Sequence, residues 1–140
     1  MEVKGECVCG KVSYTSLQKG PILPIIYCHC KDCQQSHSAP FTNVWMSPVA
    51  DTTWLGKEHL SSYNRRGSNE RLFCETCHVQ MASHLYKGTD KARYAFFQSS
   101  IRSCPMKQQP VMHIFTKEAT VPLPDDGLKR RWRSFEVNRL

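Results

Sequence analysis

Short segments of alternating apolar and polar residues dominate this chain of 140 residues. The segments are rich in β-branched and aromatic residues and are bounded by Gly, Pro, Ser or Asn, a pattern typical of short β-strands. Helical periodicity is weak, and it predicts only a turn over Cys33–Ser38 and a short terminal helix over Asp125–Arg133. The predicted strands cover Lys11–Tyr14, Ile22–Tyr27, Phe41–Met46, Leu60–Tyr63, Arg71–Phe73, Met81–Tyr86, Tyr94–Gln98 and Val111–Phe115. We therefore predict a mostly β fold of short strands.

The length of the chain predicts a single domain over residues 1–140, with a modest hydrophobic core. No apolar run is long enough to span a membrane, and the polar segment Met1–Glu6 lacks the apolar stretch of a secretory signal. We therefore expect a cytoplasmic protein, or a nuclear one, without a membrane partner. In such a reducing compartment thiols stay free to bind metal.

The formal net charge is +7, and the densest basic run, Lys129–Arg133, lies in a basic C-terminal segment over residues 125–140. A short charge run of this kind is more often a solvated surface than a binding site. The alternatives are a clamp for an anionic substrate and a contact to nucleic acid. Because no recognisable nucleic-acid-reading motif accompanies the charges, we expect no nucleic-acid partner. The oligomeric state is left open.

Seven of the eight cysteines form three tight groups, and each spacing can aim its sulfurs at one point. Disulfides are disfavoured because Cys-x-Cys is too cramped for an easy bridge and no secretory signal is present. Cys104 stands alone before a proline and is interpreted as an ordinary loop cysteine. The three groups are Cys7 with Cys9, Cys28 with Cys30 and Cys33, and Cys74 with Cys77.

The economical assignment of these groups is two zinc ions per chain. Two pairs, Cys7–Cys9 and Cys74–Cys77, would form a closed structural site of four sulfurs. The remaining Cys28, Cys30 and Cys33 would form a site with one open position, suited to a further soft ligand such as a substrate thiolate. A structural site completed by a histidine is the main alternative, and other pairings of the cysteines stay open. Possible fourth ligands are His37, His84 and His113, whereas His29 lies between two ligands and is expected to point away.

Four segments of the chain resemble the glutathione-dependent formaldehyde-activating enzyme family, which also includes centromere protein V. The similarity runs from about Met1 to Phe115, in the order of that family. One departure is His78, which stands after the last cysteine pair where the family usually has a glycine tolerant of positive φ. The segments are Gly5–Tyr14, Cys28–Gln34, Phe73–Cys77 and His113–Phe115.

The resemblance implies a β-tent type fold of short antiparallel strands stapled by zinc. It implies structural zinc on Cys7, Cys9, Cys74 and Cys77, and a catalytic-type zinc on Cys28, Cys30 and Cys33. The implied activity is a carbon–sulfur lyase reaction that joins glutathione, as a co-substrate, to formaldehyde and reverses this step. The general acid or base is open among His29, His78 and His113. The other two hypotheses are an enzyme recruited to another small thioether or imine-like substrate, and a non-catalytic zinc-stapled protein that binds through its basic tail.

Overall fold

The computed structural model describes residues 2–20, 24–66, 69–103 and 110–133, and within them it contains twelve strands and one α-helix. The mostly β fold is therefore confirmed. Cys104, residues 22–23 of one predicted strand and residues 134–140 of the basic segment lie outside the described residues. The elements are β1 (Glu2–Glu6), β2 (Ser13–Leu17), β3 (Ile26–Cys28), α1 (Lys31–His37), β4 (Thr42–Pro48), β5 (Thr52–Leu55), β6 (Leu60–Arg66), β7 (Asn69–Cys74), β8 (Gln80–Leu85), β9 (Arg93–Phe97), β10 (Ile101–Ser103), β11 (Met112–Ile114) and β12 (Lys129–Arg130).

The chain divides into two compact units. The larger unit comprises Met1–Leu23 and Trp45–Lys107. It contains a four-stranded antiparallel sheet in the order β10-β1-β2-β5, and the antiparallel ladder β9-β8-β7-β6. The four strands of this ladder follow one another directly along the chain, and alternating segments of the sequence predicted most of the ladder.

Aromatic side chains fill the core of the larger unit. The ring of Tyr14 on β2 stacks on Phe96 of β9 with centroids 4.0 Å apart, and Trp54 packs against Tyr14 at 5.2 Å. Gly5 on β1 lies against the Tyr14 ring, where any larger side chain would collide with it. The first strand therefore needs glycine at this position for packing.

The smaller unit comprises Pro24–Val44 and Gln108–Leu140, and its strands lie in the order β12-β11-β3, followed by the first three residues of β4. β3 pairs antiparallel with β4, whereas β11 runs parallel to both β3 and β12. The short helix α1 follows β3 and confirms the predicted turn at Cys33–Ser38. The predicted helix over Asp125–Arg133 is wrong, because Lys129–Arg130 forms strand β12 beside β11.

Candidate metal centres

The first turn of the four-cysteine cluster (Cys7, Cys9, Cys74 and Cys77) follows strand β1. The Cys7 backbone N–H donates to the Val12 carbonyl, and Gly10 N–H donates back to the Cys7 carbonyl. Gly10 has φ +78°, a conformation that glycine adopts without steric cost. The Val12 N–H donates to the Cys7 sulfur at 3.3 Å, which favours a thiolate at that position.

The second turn, after β7, repeats this geometry. Cys74 N–H donates to the Val79 carbonyl and His78 N–H donates to the Cys74 carbonyl. His78 has φ +62° and is exposed, so it occupies the left-handed conformation that its position predicted. Although burial opposes ionisation, hydrogen bonds from the backbone N–H groups of Val79 and Cys9 lower the pKa of the Cys77 thiol to about 6. Each turn thus has one cysteine that favours the thiolate, Cys7 in the first and Cys77 in the second, whereas hydrogen bonding to the other three sulfurs helps to raise the pKa of the Cys9 thiol to about 11.

The two turns bring four sulfur atoms within 4.8 Å of one another. The Cys9 Sγ lies 3.5 Å from the Cys7 Sγ and 3.6 Å from the Cys74 Sγ. Sulfurs bound at about 2.3 Å to a tetrahedral zinc would lie about 3.8 Å apart, so the spacing of these atoms fits such an ion. Four thiolates around one zinc leave no position for a substrate, and this centre is therefore suited to a structural role.

The three-cysteine cluster (Cys28, Cys30 and Cys33) is formed where strand β3 turns into helix α1. Cys28 ends the strand, and Cys30 caps the helix in an extended conformation. The Cys33 backbone N–H, in the first turn of α1, donates to the Cys30 sulfur at 3.4 Å. This change from strand to helix places the three sulfurs within 4.8 Å of one another.

The environment of the three-cysteine cluster favours a bound cation. Hydrogen bonding to the Cys30 sulfur, hydrogen bonding to the Cys33 sulfur and burial raise the pKa of the Cys28 thiol well above its usual value. Three neighbouring thiolates repel one another, and a divalent cation would offset that repulsion and deprotonate the thiols. Cys28 and Cys33 are buried and Cys30 is partly exposed, so a ligand from solvent could reach the cluster at Cys30.

No histidine or carboxylate joins the three sulfurs in the described part of the chain. His84 lies on β8 in the larger unit, with its ring 4.9 Å from that of Tyr94, and His37 ends helix α1. His113 on β11 uses both ring nitrogens elsewhere, on His29 and on Asp126. None of these three histidines is therefore placed as a fourth ligand of the three-cysteine cluster.

The histidines considered as a general acid or base take different positions. His78 lies in the second turn of the four-cysteine cluster and not among the three sulfurs. His29 is fully buried and packs beside Phe41 and His113, outside the sulfur cluster as expected. The sequence analysis did not single out Asp126, which hydrogen-bonds to His113 and lies in no local motif.

The described part of the chain also contains no helix with the length and apolar character needed to cross a bilayer.

Comparison with known proteins agrees with this arrangement. The family model described as "Glutathione-dependent formaldehyde-activating enzyme" matches residues 2–118. A Rhodobacter sphaeroides protein of known crystal structure shares the fold with a TM-score of 0.52 and 21% sequence identity, over 66% of this chain and 82% of the other. No curated protein sequence matches the chain. Because the family model spans most of its length, including both cysteine clusters, this chain belongs to the glutathione-dependent formaldehyde-activating enzyme family.

Proposed function

We propose that this protein is a zinc-dependent carbon–sulfur lyase that acts on a thiol adduct. Its first candidate reaction joins glutathione and formaldehyde to S-hydroxymethylglutathione and also reverses this step. The observation that carries the proposal is the three-cysteine cluster, which gathers three sulfurs at one point and has no further protein donor within the described residues. A cluster of this kind could hold zinc with one position left for substrate.

The four-cysteine cluster takes the other role in this proposal. It would hold a second zinc with its coordination complete, and it would join two turns that lie 65 residues apart in sequence. Its loss should therefore affect folding of the larger unit more than substrate binding.

The reaction itself forms one carbon–sulfur bond. The glutathione sulfur bonds to the formaldehyde carbon, the carbonyl electron pair moves to oxygen, and the oxygen takes up the proton that the thiol has lost. Zinc, when bound, would supply an acceptor for sulfur that lowers the pKa of the substrate thiol. Cys28, Cys30 and Cys33 would hold that ion, and the substrate would arrive on the side of Cys30, which is partly exposed.

Glutathione carries two carboxylates, which cationic side chains would bind. Lys31 directly follows Cys30 and is exposed at the start of α1. Its ammonium group also contacts the Gln34 side-chain oxygen at 3.4 Å. Lys31 is therefore the first cation we assign to a substrate carboxylate.

The test is exchange of formaldehyde between its free and glutathione-bound forms, followed by NMR. Zinc-loaded protein should accelerate exchange, and Cys30→Ala should abolish the acceleration. Gln35→Ala, on an exposed position of the same helix, is the matched control and should behave as wild type. Glutathione binding without acceleration would favour another thioether or imine-like substrate. Neither binding nor acceleration, with both zinc ions retained, would contradict the enzyme proposal in favour of a zinc-stapled binding protein.

A further inference from the structure

A chain of hydrogen bonds joins three side chains in the smaller unit: Asp126, His113 and His29. His113 Nε2 lies 2.9 Å from Asp126 Oδ2, and His113 Nδ1 lies 2.8 Å from His29 Nε2. Both histidines are fully buried, whereas the Asp126 side chain is 30% exposed. The Asp126 carboxylate is therefore linked directly to the His113 ring and, through that ring, to the buried His29 ring.

Each bond in this chain has one direction when both histidines are neutral. A carboxylate only accepts, so His113 Nε2 carries the hydrogen and donates to Asp126. The neutral His113 ring then has a bare Nδ1, which accepts from His29 Nε2–H. His29 Nδ1 is left without a hydrogen, and it is buried with no hydrogen-bond partner among the described residues.

The two ends of the chain are held in these states by their surroundings. The hydrogen bond from His113, with one from the Leu128 backbone, holds the pKa of the Asp126 carboxyl below its usual value. His29, at the other end, is fully buried, and its Nε2 lies within hydrogen-bond distance of His113 Nδ1.

The backbone of His29 is restrained as well as its ring. Its N–H donates to the Ile114 carbonyl at 3.1 Å. Its carbonyl accepts from Gln34 Nε2 at 2.7 Å, and the same amide donates to the Glu118 carbonyl at 2.7 Å. His29 lies between Cys28 and Cys30, so a shift of this residue would move two of the three sulfurs.

Asp126 comes from a segment beyond the family match, which ends at residue 118. The Leu128 N–H donates to Asp126 Oδ1 at 3.1 Å, which leaves Oδ2 for His113. The Arg131 N–H donates to the His113 carbonyl at 2.8 Å, so the segment is also tied to β11 through the backbone. The basic C-terminal segment thus supplies a specific contact to the interior of the smaller unit.

We propose that Asp126 and His113 are positioning residues for the three-cysteine cluster, because they fix the tautomer and orientation of His29 and with it the segment that carries Cys28 and Cys30. This inference rests on the proposed function, in which those cysteines hold a metal. Groups that hydrogen-bond a metal ligand directly typically change metal affinity by about 10–100-fold when they are replaced. His113 and Asp126 act through His29, so we expect an effect at or below the lower end of that range.

The first measurement needs no variant. Long-range proton–nitrogen NMR of the zinc-loaded protein, with labelled histidine, reports which ring nitrogen carries hydrogen. The expected result is hydrogen on Nε2 of both His113 and His29. Hydrogen on Nδ1 of His29 would overturn the inference, because the chain of bonds would then run in the opposite direction.

The second measurement is the zinc affinity of each cluster by chelator competition. Asp126→Asn keeps the shape of the side chain, but its amide can donate to His113 and reverse the chain. We expect it to lower affinity at the three-cysteine cluster by about threefold to tenfold, with the four-cysteine cluster unchanged and the His29 tautomer no longer uniform. The matched control, Asp125→Asn, removes the same charge at the exposed neighbouring position and should change neither property.

The outcomes separate this inference from the function on which it rests. If the zinc affinity of each cluster is the same in Asp126→Asn as in Asp125→Asn, only the positioning role is overturned. A wild-type protein that binds zinc at the four-cysteine cluster alone would contradict the proposed function, and the positioning role would fall with it.

Discussion

Removing one side of the four-cysteine cluster should cost about twice as much stability as removing the three-cysteine cluster. The Cys9 and Cys74 sulfurs join segments 65 residues apart, whereas Cys28 and Cys33 are separated by only five residues. Treating each metal as a cross-link, the loop-closure entropy gives about 4 kcal/mol for the long loop and about 2 kcal/mol for the short one at 25 °C. At about 3–4 °C per kcal/mol for a chain of this length, these values correspond to falls in Tm of about 15 °C and about 7 °C.

The assay compares two double variants, Cys74→Ala/Cys77→Ala and Cys28→Ala/Cys30→Ala, by thermal unfolding with zinc present. Elemental analysis of each variant should give one zinc per chain, which establishes that a single centre has been removed. Only the second variant should also lose formaldehyde exchange while its fold is retained.

Equal falls in Tm would contradict this expectation, because they would show that loop length has no part in the stability that the metals provide. A larger fall in Tm for Cys28→Ala/Cys30→Ala would show that the structural role belongs to the three-cysteine cluster instead. A fall in neither variant, with zinc lost from both, would show that the fold does not depend on metal.

Other consequences follow from particular residues. Protein purified without chelator should contain two zinc ions per chain by elemental analysis, and the three-cysteine cluster should release its zinc first on titration with a chelator, because fewer protein ligands hold it. His78→Gly should raise the free energy of unfolding by about 0.5–1 kcal/mol in denaturant titration, because His78 occupies a left-handed conformation at φ +62°; a loss of stability would give the imidazole a structural role. Gly56→Ala should lower it by about 2–4 kcal/mol, because Gly56 has φ +70° and its new methyl group would collide with the Lys11 carbonyl. Binding to nucleic acid should be weak and should fall steeply with salt, and tight sequence-selective binding at physiological salt would contradict the enzyme proposal.

The cysteine groups were predictable because their information is local. A spacing such as that of Cys74 and Cys77 specifies a turn, and thiols in such turns have few roles in a reducing compartment. Joining that pair to Cys7 and Cys9 was the economical assignment, which the family resemblance also implied, and the structure brings the four sulfurs together. The left-handed conformation at His78 was predictable for the same local reason.

Strands with little apolar content were not predictable from pattern. β1 has one large apolar residue, Val3, and its other buried position is Gly5, whose small size is required by the Tyr14 ring of the neighbouring strand. β12 consists of two exposed basic residues, Lys129 and Arg130, and forms only because it pairs with β11. Such strands depend on contacts with distant residues, which a short window of sequence does not contain.

The role of Asp126 was hidden for a related reason. It lies in a polar segment interpreted as a solvated tail or helix, and its partner His113 is 13 residues away on strand β11. His113 itself was considered as a metal ligand, whereas the structure commits both its nitrogens to hydrogen bonds. Only the pairing of β11 with β3 brings the Asp126–His113 pair to His29.

The proposed function requires that the three-cysteine cluster hold a metal with a position for substrate sulfur, and that the four-cysteine cluster have no such position. Cadmium-113 NMR of the cadmium-substituted protein tests it directly, since each metal gives its own resonance. We expect two resonances, of which only the one absent from Cys30→Ala shifts when glutathione is added. The proposed function would be contradicted if neither resonance shifts when glutathione is added, or if the resonance that Cys74→Ala removes is the one that shifts.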